Sequence, residues 1–154
     1  MESICTCVRY GIKNSGTSCE GIVPTLVSAL PQLFSVRYHC GYLYVASELT
    51  KKFGKSTGYA GTVQQLVLEL LTIACGALKA PSDFKETPDL ADDTFLMAGR
   101  VLSYCPEALL THSTLLPLMI DTAAKGRTLQ TTKRQMRDDA QVRWCSTRRR
   151  ATQF

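Results

Sequence analysis

The chain has 154 residues, of which 45% are hydrophobic and 20% charged, a composition that suits one globular domain with a sizeable core. Its net charge of +5 lies in the C-terminal part: residues 127–154 hold eight Lys or Arg against two Asp or Glu, whereas residues 1–126 are about neutral, so the charge predicts no basic face on the main body. No apolar run is expected to span a bilayer, and the N-terminus lacks a basic stretch followed by an apolar one, so neither a membrane protein nor a secreted protein is indicated.

Apolar residues at helical spacing predict two helices in the first part of the chain. Residues 2–15 form the first helix, which closes near Gly16. Residues 21–36 form the second, in which Pro24 suits the first turn and Pro31 predicts a kink. The residues predicted to face the core are Ile4, Val8, Ile12, Val23, Val27, Leu30 and Phe34.

The next two predicted helices differ in polarity. Residues 39–53 have one apolar stripe and end in Lys-Lys-Phe-Gly, which places cations at the negative end of the helix and Gly54 just beyond it. Residues 62–79 are apolar over most of their circumference, and a helix of that kind lies between other helices. The predicted core residues are Tyr42, Ala46, Leu49 and Phe53 in the first, and Val63, Leu66, Val67, Leu70, Leu71, Ile73, Ala74 and Leu78 in the second.

A polar loop over residues 80–88 precedes the last two predicted helices. These run over residues 89–104 and from about Ser113 to Ala124. The residues predicted to face the core are Ala91, Phe95, Ala98 and Leu102 in the first, and Leu115, Leu116, Met119, Ile120 and Ala123 in the second.

No stretch shows the sustained period-two alternation of a strand, so the fold class is predicted as all-α. Helices of roughly 12–18 residues recur in pairs at about 40–50 residues, the period of HEAT or armadillo-like repeats. We therefore predict an α-solenoid of antiparallel helix pairs over residues 1–126, with a closed helical bundle as the alternative. Residues 127–154 are predicted to form a basic tail that is disordered or weakly helical.

Seven cysteines are scattered along the chain, and their odd number favours free thiols in a reducing compartment over a disulfide framework. Cys5 and Cys7 are separated by one residue, and no second pair downstream completes a tetrahedral metal site. Neither a metal nor another cofactor is therefore predicted. The remaining cysteines are Cys19, Cys40, Cys75, Cys105 and Cys145.

Candidate catalytic groups are few. His39 adjoins Cys40, but neighbouring side chains on a helix point about 100° apart and do not form a nucleophile–base pair. His112, the other histidine, is interpreted as a polar residue before a helix that Ser113 caps. The segment GKSTGYAG lacks the residue order of a phosphate-binding loop and is predicted to join two helices. The sequence therefore favours a protein that is not an enzyme.

The segment TPDLADDTF places Asp89, Asp92 and Asp93 within five positions at the predicted start of a helix. Either Thr87, with Pro88 at the first helical position, or Asp89 itself is predicted to cap this helix. Carboxylates near the positive end of the helix dipole stabilise it by roughly 0.3–1 kcal/mol each when exposed. Asp89 and Asp93 are four residues apart and share one face, but no further ligand on this helix completes a metal site.

The tail carries two basic clusters separated by thirteen residues, in the pattern of a bipartite nuclear localisation signal. Thr152 follows the second cluster as in a site for a basophilic kinase. Contact with nucleic acid through these cations, or a solvated tail without a specific partner, are the alternatives. A nucleic-acid-binding or regulatory polypeptide that acts through its tail is therefore the second functional hypothesis. The clusters are Lys133-Arg134 and Arg148-Arg149-Arg150.

Three segments, YHCGYLYVASELTKKFG, TPDLADDTFLMAGRVLSYCPEALL and STLLPLMIDTAAKG, follow one another in an unbroken register. Through them, residues 3–126 resemble the importin-β superfamily of nuclear transport receptors, and within it the transportin-SR/importin-thirteen branch. The motifs that carry the resemblance are Tyr42-Leu43-Tyr44 with Phe53-Gly54, Pro88-Asp89 with Asp92-Asp93-Thr94-Phe95, and the turn Ser103–Pro106.

The resemblance implies about three HEAT-type helix pairs from a longer receptor that works in cytoplasm and nucleus. It also implies a cargo of Arg/Ser-rich proteins, and the small GTPase Ran as a further partner, although the N-terminal repeats that supply most Ran contacts in the family are not among those matched. In such a solenoid the helix beginning at Pro88 lines the concave face. Asp92 and Asp93 are therefore predicted to attract basic cargo by electrostatic steering, and Asp89 is a third candidate for partner binding.

Overall fold

The computed structural model describes residues 2–56 and 58–127, and every regular element in this part of the chain is helical. The all-α prediction is therefore confirmed. The predicted tail, including both of its basic clusters and Thr152, lies outside the described residues. The elements are α1 (Glu2–Asn14), a 3₁₀ segment (Gly16–Ile22), α2 (Val23–Val36), α3 (Cys40–Phe53), α4 (Ala60–Ala77), α5 (Asp83–Glu86), α6 (Pro88–Tyr104), α7 (Pro106–Leu110) and α8 (115–127).

The long helices are arranged in two layers. Helices α1, α3 and α6 lie side by side in one layer, α2 packs against α4 in the other, and α4 contacts both α3 and α6 across the interface. The beginnings of α3 and α6 meet where the Cys40 thiol bonds the Asp93 carboxylate. The ends of α1 and α3 meet where Lys52 reaches the carbonyl of Ile12, so the three helices run in one direction. This alternation between layers is the arrangement expected of a solenoid of helix pairs.

Helix α3 is the most enclosed element of the first layer, because it has α1 on one side, α6 on the other and α4 beneath it. It buries two polar side chains, Ser47 and Thr50, and the Thr50 hydroxyl donates to the Ala46 carbonyl at 2.8 Å. Only one stripe of α3, which includes Tyr44 and Glu48, is partly open. The buried residues are Tyr42, Leu43, Val45, Ala46, Ser47, Leu49, Thr50 and Phe53.

Helix α4 is the apolar helix at the centre of the packing. Two helical stretches, Ser18–Val36 and Ala60–Ala77, are long and apolar enough to cross a bilayer, contrary to the expectation from the sequence. The apolar surface of α4 packs against α2, α3 and α6, and Leu66, Leu70 and Leu71 are buried there. A helix that is apolar around most of its circumference is typical of the centre of such a packing.

The apolar faces of α1 and α6 are rotated relative to the predicted stripes. Ile4, predicted to be in the core, is 63% exposed, and Cys5 is buried in its place. Leu102 was predicted to face inward but is 45% exposed, whereas Met97 and Val101 are fully buried. The reason is that α6 contacts both α3 and α4, so its buried arc spans two neighbours and shifts away from Leu102.

The C-terminal part departs from prediction in two further ways. The helix Pro106–Leu110 occupies a segment for which no helix was predicted, and Pro106, the last residue of the predicted turn, is compatible with the first position of a helix. On α8, the predicted core residue Ile120 is 62% exposed, and Thr122 is buried instead. Thr122 can be buried because its hydroxyl donates to the Leu118 carbonyl at 2.8 Å.

The contacts at the end of α3 also differ from those predicted. Gly54 has φ −61° and ψ −18°, so no left-handed conformation requires glycine there. Instead, a Cβ at this position would lie 2.5 Å from the Thr50 carbonyl oxygen. Lys52 donates to the Ile12 carbonyl at 2.5 Å and therefore neutralises the end of α1 in addition to that of its own helix. The kink expected at Pro31 stays a prediction, since α2 is continuous through this buried residue.

The rotated face of α6 can be tested by two truncations. Met97→Ala should lower the free energy of unfolding by about 2–5 kcal/mol, because it opens a cavity in the core. Leu102→Ala, the matched control five residues further along the same helix, should lower it by no more than about 1 kcal/mol, because nearly half of this side chain is in solvent. Urea titrations of both variants measure the difference. A larger loss of unfolding free energy for Leu102→Ala than for Met97→Ala would support the buried face predicted from the sequence and contradict the one seen in the structure.

Candidate functional site

A groove of about 600 Å³ opens where the beginnings of α3 and α6 meet α1. Three carboxylates and one guanidinium line it, together with two tyrosines and several smaller polar groups. The groove therefore carries an excess of negative charge. The lining residues are Thr6, Arg9, Tyr38, His39, Cys40, Gly41, Tyr44, Glu86, Thr87, Pro88, Asp89, Leu90 and Asp93.

The floor of the groove depends on a glycine at the start of α3. A Cβ at Gly41 would come within 3.0 Å of the Cys5 side chain and of the His39 Nδ1. The absence of a side chain therefore lets α1 and α3 approach closely at this point. His39 caps α3, because its Nδ1 accepts a hydrogen bond from the Gly41 N–H at 3.1 Å.

The start of α6 forms the opposite wall. Pro88 occupies the first turn, as predicted, and Asp89 follows it. Thr87 occupies the cap position before Pro88, as one of the two predictions has it, but its side chain makes no capping bond, and its hydroxyl donates to the Asp83 carbonyl at 2.9 Å. Thr87 thereby joins α5 to α6 and holds Glu86 at the edge of the groove.

Two of the three acids singled out in the sequence meet in the groove. Asp89 is exposed and Asp93 is half-buried, and both line it, as expected of residues four apart on a helix. Asp92 is exposed and does not line the groove. Glu86 supplies the third carboxylate, which the sequence analysis missed because it assigned residue 86 to a loop.

The surroundings of Asp93 raise the pKa of its carboxyl group. Burial raises its pKa above the ordinary value, the Asp89 and Asp92 carboxylates raise it further, and the Cys40 thiol and the Arg100 guanidinium oppose the rise. Burial, followed by the charge of Asp93, also raises the pKa of Cys40. Cys40 is therefore a protonated thiol that donates to Asp93, the opposite of an activated nucleophile.

Tyr44 connects the three helices of the first layer along the open stripe of α3. The guanidinium of Arg9 lies 4.7 Å from its ring centroid, and that of Arg100 lies 5.0 Å from it. Arg100 also pairs with Glu48 at 3.3 Å. Cation–π contacts of this kind contribute about 0.5–1 kcal/mol each at exposed sites, so they align α1, α3 and α6 without closing the groove.

Both histidines cap helices. His112 Nδ1 accepts from the Leu115 N–H at 3.2 Å at the beginning of α8, so His112 performs the role predicted for Ser113. His39 performs the same role in α3. Within residues 2–56 and 58–127, no three His, Cys, Asp or Glu side chains are grouped in a way that could hold a metal ion. The segment after Phe53 joins α3 to α4, as predicted for GKSTGYAG.

The other candidate residues are distributed as follows. Six cysteines of the described part of the chain are not joined in disulfides; Cys7 is exposed and Cys40 is half-buried, whereas the other four are buried. The tail residues proposed for nuclear targeting or phosphorylation lie outside the described residues. The buried cysteines are Cys5, Cys19, Cys75 and Cys105, and the tail residues are Lys133, Arg134, Arg148, Arg149, Arg150 and Thr152.

Comparison with known proteins adds two findings. Residues 1–78 match the family model described as the transportin-3/importin-13 fourth TPR domain. The chain is also 28% identical over 130 residues to transportin MOS14 of Arabidopsis thaliana. This alignment covers 84% of the chain but 14% of the Arabidopsis protein, so the chain corresponds to a small part of that relative.

The raised pKa of Asp93 predicts how its removal changes stability with pH. A carboxyl with a raised folded-state pKa stabilises the fold below its ordinary pKa, and this contribution is lost as the pH rises through the folded-state pKa. The free energy of unfolding of Asp93→Asn, minus that of the parent, should therefore increase over that pH range and then level off. Urea titrations at several pH values measure this difference.

Asp83→Asn is a control of opposite sign. The Ala80 N–H donates to the Asp83 carboxylate at 2.8 Å, and this bond lowers the pKa of Asp83 below its ordinary value. Its stabilising contribution is present above the ordinary pKa and is lost as the pH falls, so the variant should lose stability relative to the parent as the pH rises. If the stability of the two variants relative to the parent changed with pH in the same direction, a raised pKa of Asp93 would be contradicted.

Proposed function

Because this chain belongs to the transportin-3/importin-13 family, we propose that it is a non-enzymatic protein-binding segment of the nuclear transport receptor type. Its ligand is an arginine-rich stretch of a cargo protein, such as an Arg/Ser-rich domain. The observation that carries the proposal is the groove between α3 and α6, in which Glu86, Asp89 and Asp93 face a single cation, Arg9.

The chemistry of the groove favours arginine as the ligand side chain. A guanidinium is planar and can donate two parallel hydrogen bonds to one carboxylate, whereas an ammonium acts as a point charge. Asp89 and Asp93 stand one helical turn apart, so they can receive neighbouring guanidinium groups. Tyr38 is half-exposed at the rim and offers a ring on which a guanidinium can stack.

We expect the acids to increase the association rate of the ligand more than its equilibrium affinity. Exposed ion pairs contribute about 0.2–1 kcal/mol each, because both charges are well solvated and salt screens them. Complementary charge nevertheless accelerates diffusional encounter at low ionic strength. Asp92 lies outside the groove but on the same end of α6, so it contributes to this steering without contacting the ligand.

The proposal includes a location and a second partner. Family membership supports movement between cytoplasm and nucleus, the compartments in which such receptors meet cargo. The name of the Arabidopsis relative, transportin, supports a role in transport for that protein. Ran is proposed as a further ligand of the layer formed by α1, α3 and α6, and binding of GTP-loaded Ran to the full chain tests this part separately.

Neutralising the groove should slow the capture of an arginine-rich peptide. In the double variant Asp89→Asn/Asp93→Asn, the association rate of an Arg/Ser-repeat peptide should fall by about three- to tenfold at low salt, because two of the steering charges are removed. Asp92→Asn should have a smaller effect. The rates of parent and variants should converge at about 0.5 M salt, where screening is nearly complete. Stopped-flow fluorescence with a labelled peptide measures these rates.

The control Glu69→Gln/Glu107→Gln makes the same change in net charge on α4 and α7, where neither residue lines the groove. It should keep most of the parent's association rate. If this control lost as much of the association rate as the groove variant, the effect would depend on net charge alone, and the proposed site would be contradicted. Binding of RNA, with no binding of the peptide, would favour the hypothesis of a nucleic-acid-binding tail.

A further inference from the structure

The end of α8 packs against α5, and the residues that follow Phe84 lead into the groove. The ring of Phe84 lies against the backbone of α8, and a Cβ at Gly126 would be 2.9 Å from its Cε1 atom. Phe84 belongs to α5, and Glu86 and Thr87, two and three residues further on, line the groove. Three residues span at most about 11 Å, so the end of α8 lies a short distance from this edge of the groove.

The charges of the groove and of the residues beyond 127 are complementary. Residues 128–154 contain seven Lys or Arg and two Asp, and their densest cluster is Arg148-Arg149-Arg150. The groove presents three carboxylates against Arg9. A run of arginines is also the ligand chemistry that the groove is proposed to bind in cargo.

The covalent connection makes this segment a strong competitor. The twenty-one residues from 127 to 148 can extend over as much as about 70 Å, so their length does not prevent contact with the groove. A tethered ligand that can reach its site acts at an effective concentration of about millimolar, above the concentration of most free partners. Weak contacts can therefore be occupied within one molecule although they would not persist between two.

We propose that Arg148-Arg149-Arg150 docks in the groove of its own chain, against Asp89 and Asp93, and competes there with arginine-rich cargo. The inference rests on the proposed function for its competitive part, and on the position of Gly126 and the complementary charges for the docking itself. The segment thus acts as an internal substitute for cargo.

Trp144 reports the docking directly. It is the only tryptophan of the chain and precedes Arg148 by four residues. In the full-length protein at low salt, its quenching by acrylamide should be weaker than in Asp89→Asn/Asp93→Asn, which alters the groove and leaves the tail unchanged. We expect the quenching constant to rise by about twofold in that variant, and high salt should raise it similarly in the parent.

Variants of the tail test whether the competition depends on the arginine triplet or only on the total charge of the tail. Arg148→Ser/Arg149→Ser/Arg150→Ser should raise the affinity for an Arg/Ser-repeat peptide by about tenfold, because the internal competitor is lost. Lys133→Ser/Arg134→Ser/Arg137→Ser removes the same number of cations from the same tail and should leave the affinity near that of the parent. Circular dichroism of each variant verifies that the helices are retained.

Each remaining outcome contradicts a specific part of the account. Equal quenching of Trp144 in the parent and in the groove variant, at low and at high salt, would overturn docking. Quenching that depends on protein concentration would assign the tail to the groove of a second copy and overturn docking within one chain. If the groove variant releases Trp144 but the peptide fails to bind even the Arg148–Arg150 triple variant, docking stands and the proposed cargo is wrong.

Discussion

The burial of helix α3 on three sides is the constraint on which the rest of the structure depends. Its side chains from Tyr42 to Phe53 are apolar or internally hydrogen-bonded over most of the circumference, so they require α1, α6 and α4 as neighbours. Once these are in place, α3 and α6 lie in one layer and begin side by side. A groove bounded by two helix N-termini then results from the packing, and Gly41 lets α1 approach closely enough to complete it.

The electrostatics of the groove follow from the same arrangement. The positive ends of the α3 and α6 dipoles favour carboxylates at this position, which accounts for Asp89 at the start of α6. The helix ends do not account for all of the carboxylates, because the pKa of Asp93 is raised by its burial and by the neighbouring Asp89 and Asp92. Arg9 and Arg100 are engaged with Tyr44, and Arg100 also with Glu48, so the groove retains attraction for a cationic ligand.

The sequence was sufficient for the features that depend on local pattern and insufficient for those that depend on neighbours. The six long helices and the shared face of Asp89 and Asp93 followed from periodicity, whereas the short helices α5 and α7 did not. The exposure of Leu102 did not, because it depends on α6 contacting two helices at once. The groove itself was not predictable, since Arg9 and Glu86 are far apart in sequence and come together only through packing. The resemblance to the importin-β superfamily identified the family, but of the lining residues it led only to the acids Asp89 and Asp93 as candidates for partner binding.

Native-state hydrogen exchange tests the central constraint most directly. The amides of residues 43–49, in the middle of α3, should exchange only through global unfolding, with a free energy of opening equal to that from urea titration. The amides of residues 33–36, at the end of α2, should exchange through smaller openings. If residues 43–49 exchanged as rapidly as residues 33–36, α3 would not be enclosed by α1, α4 and α6, and the groove would lose its structural basis.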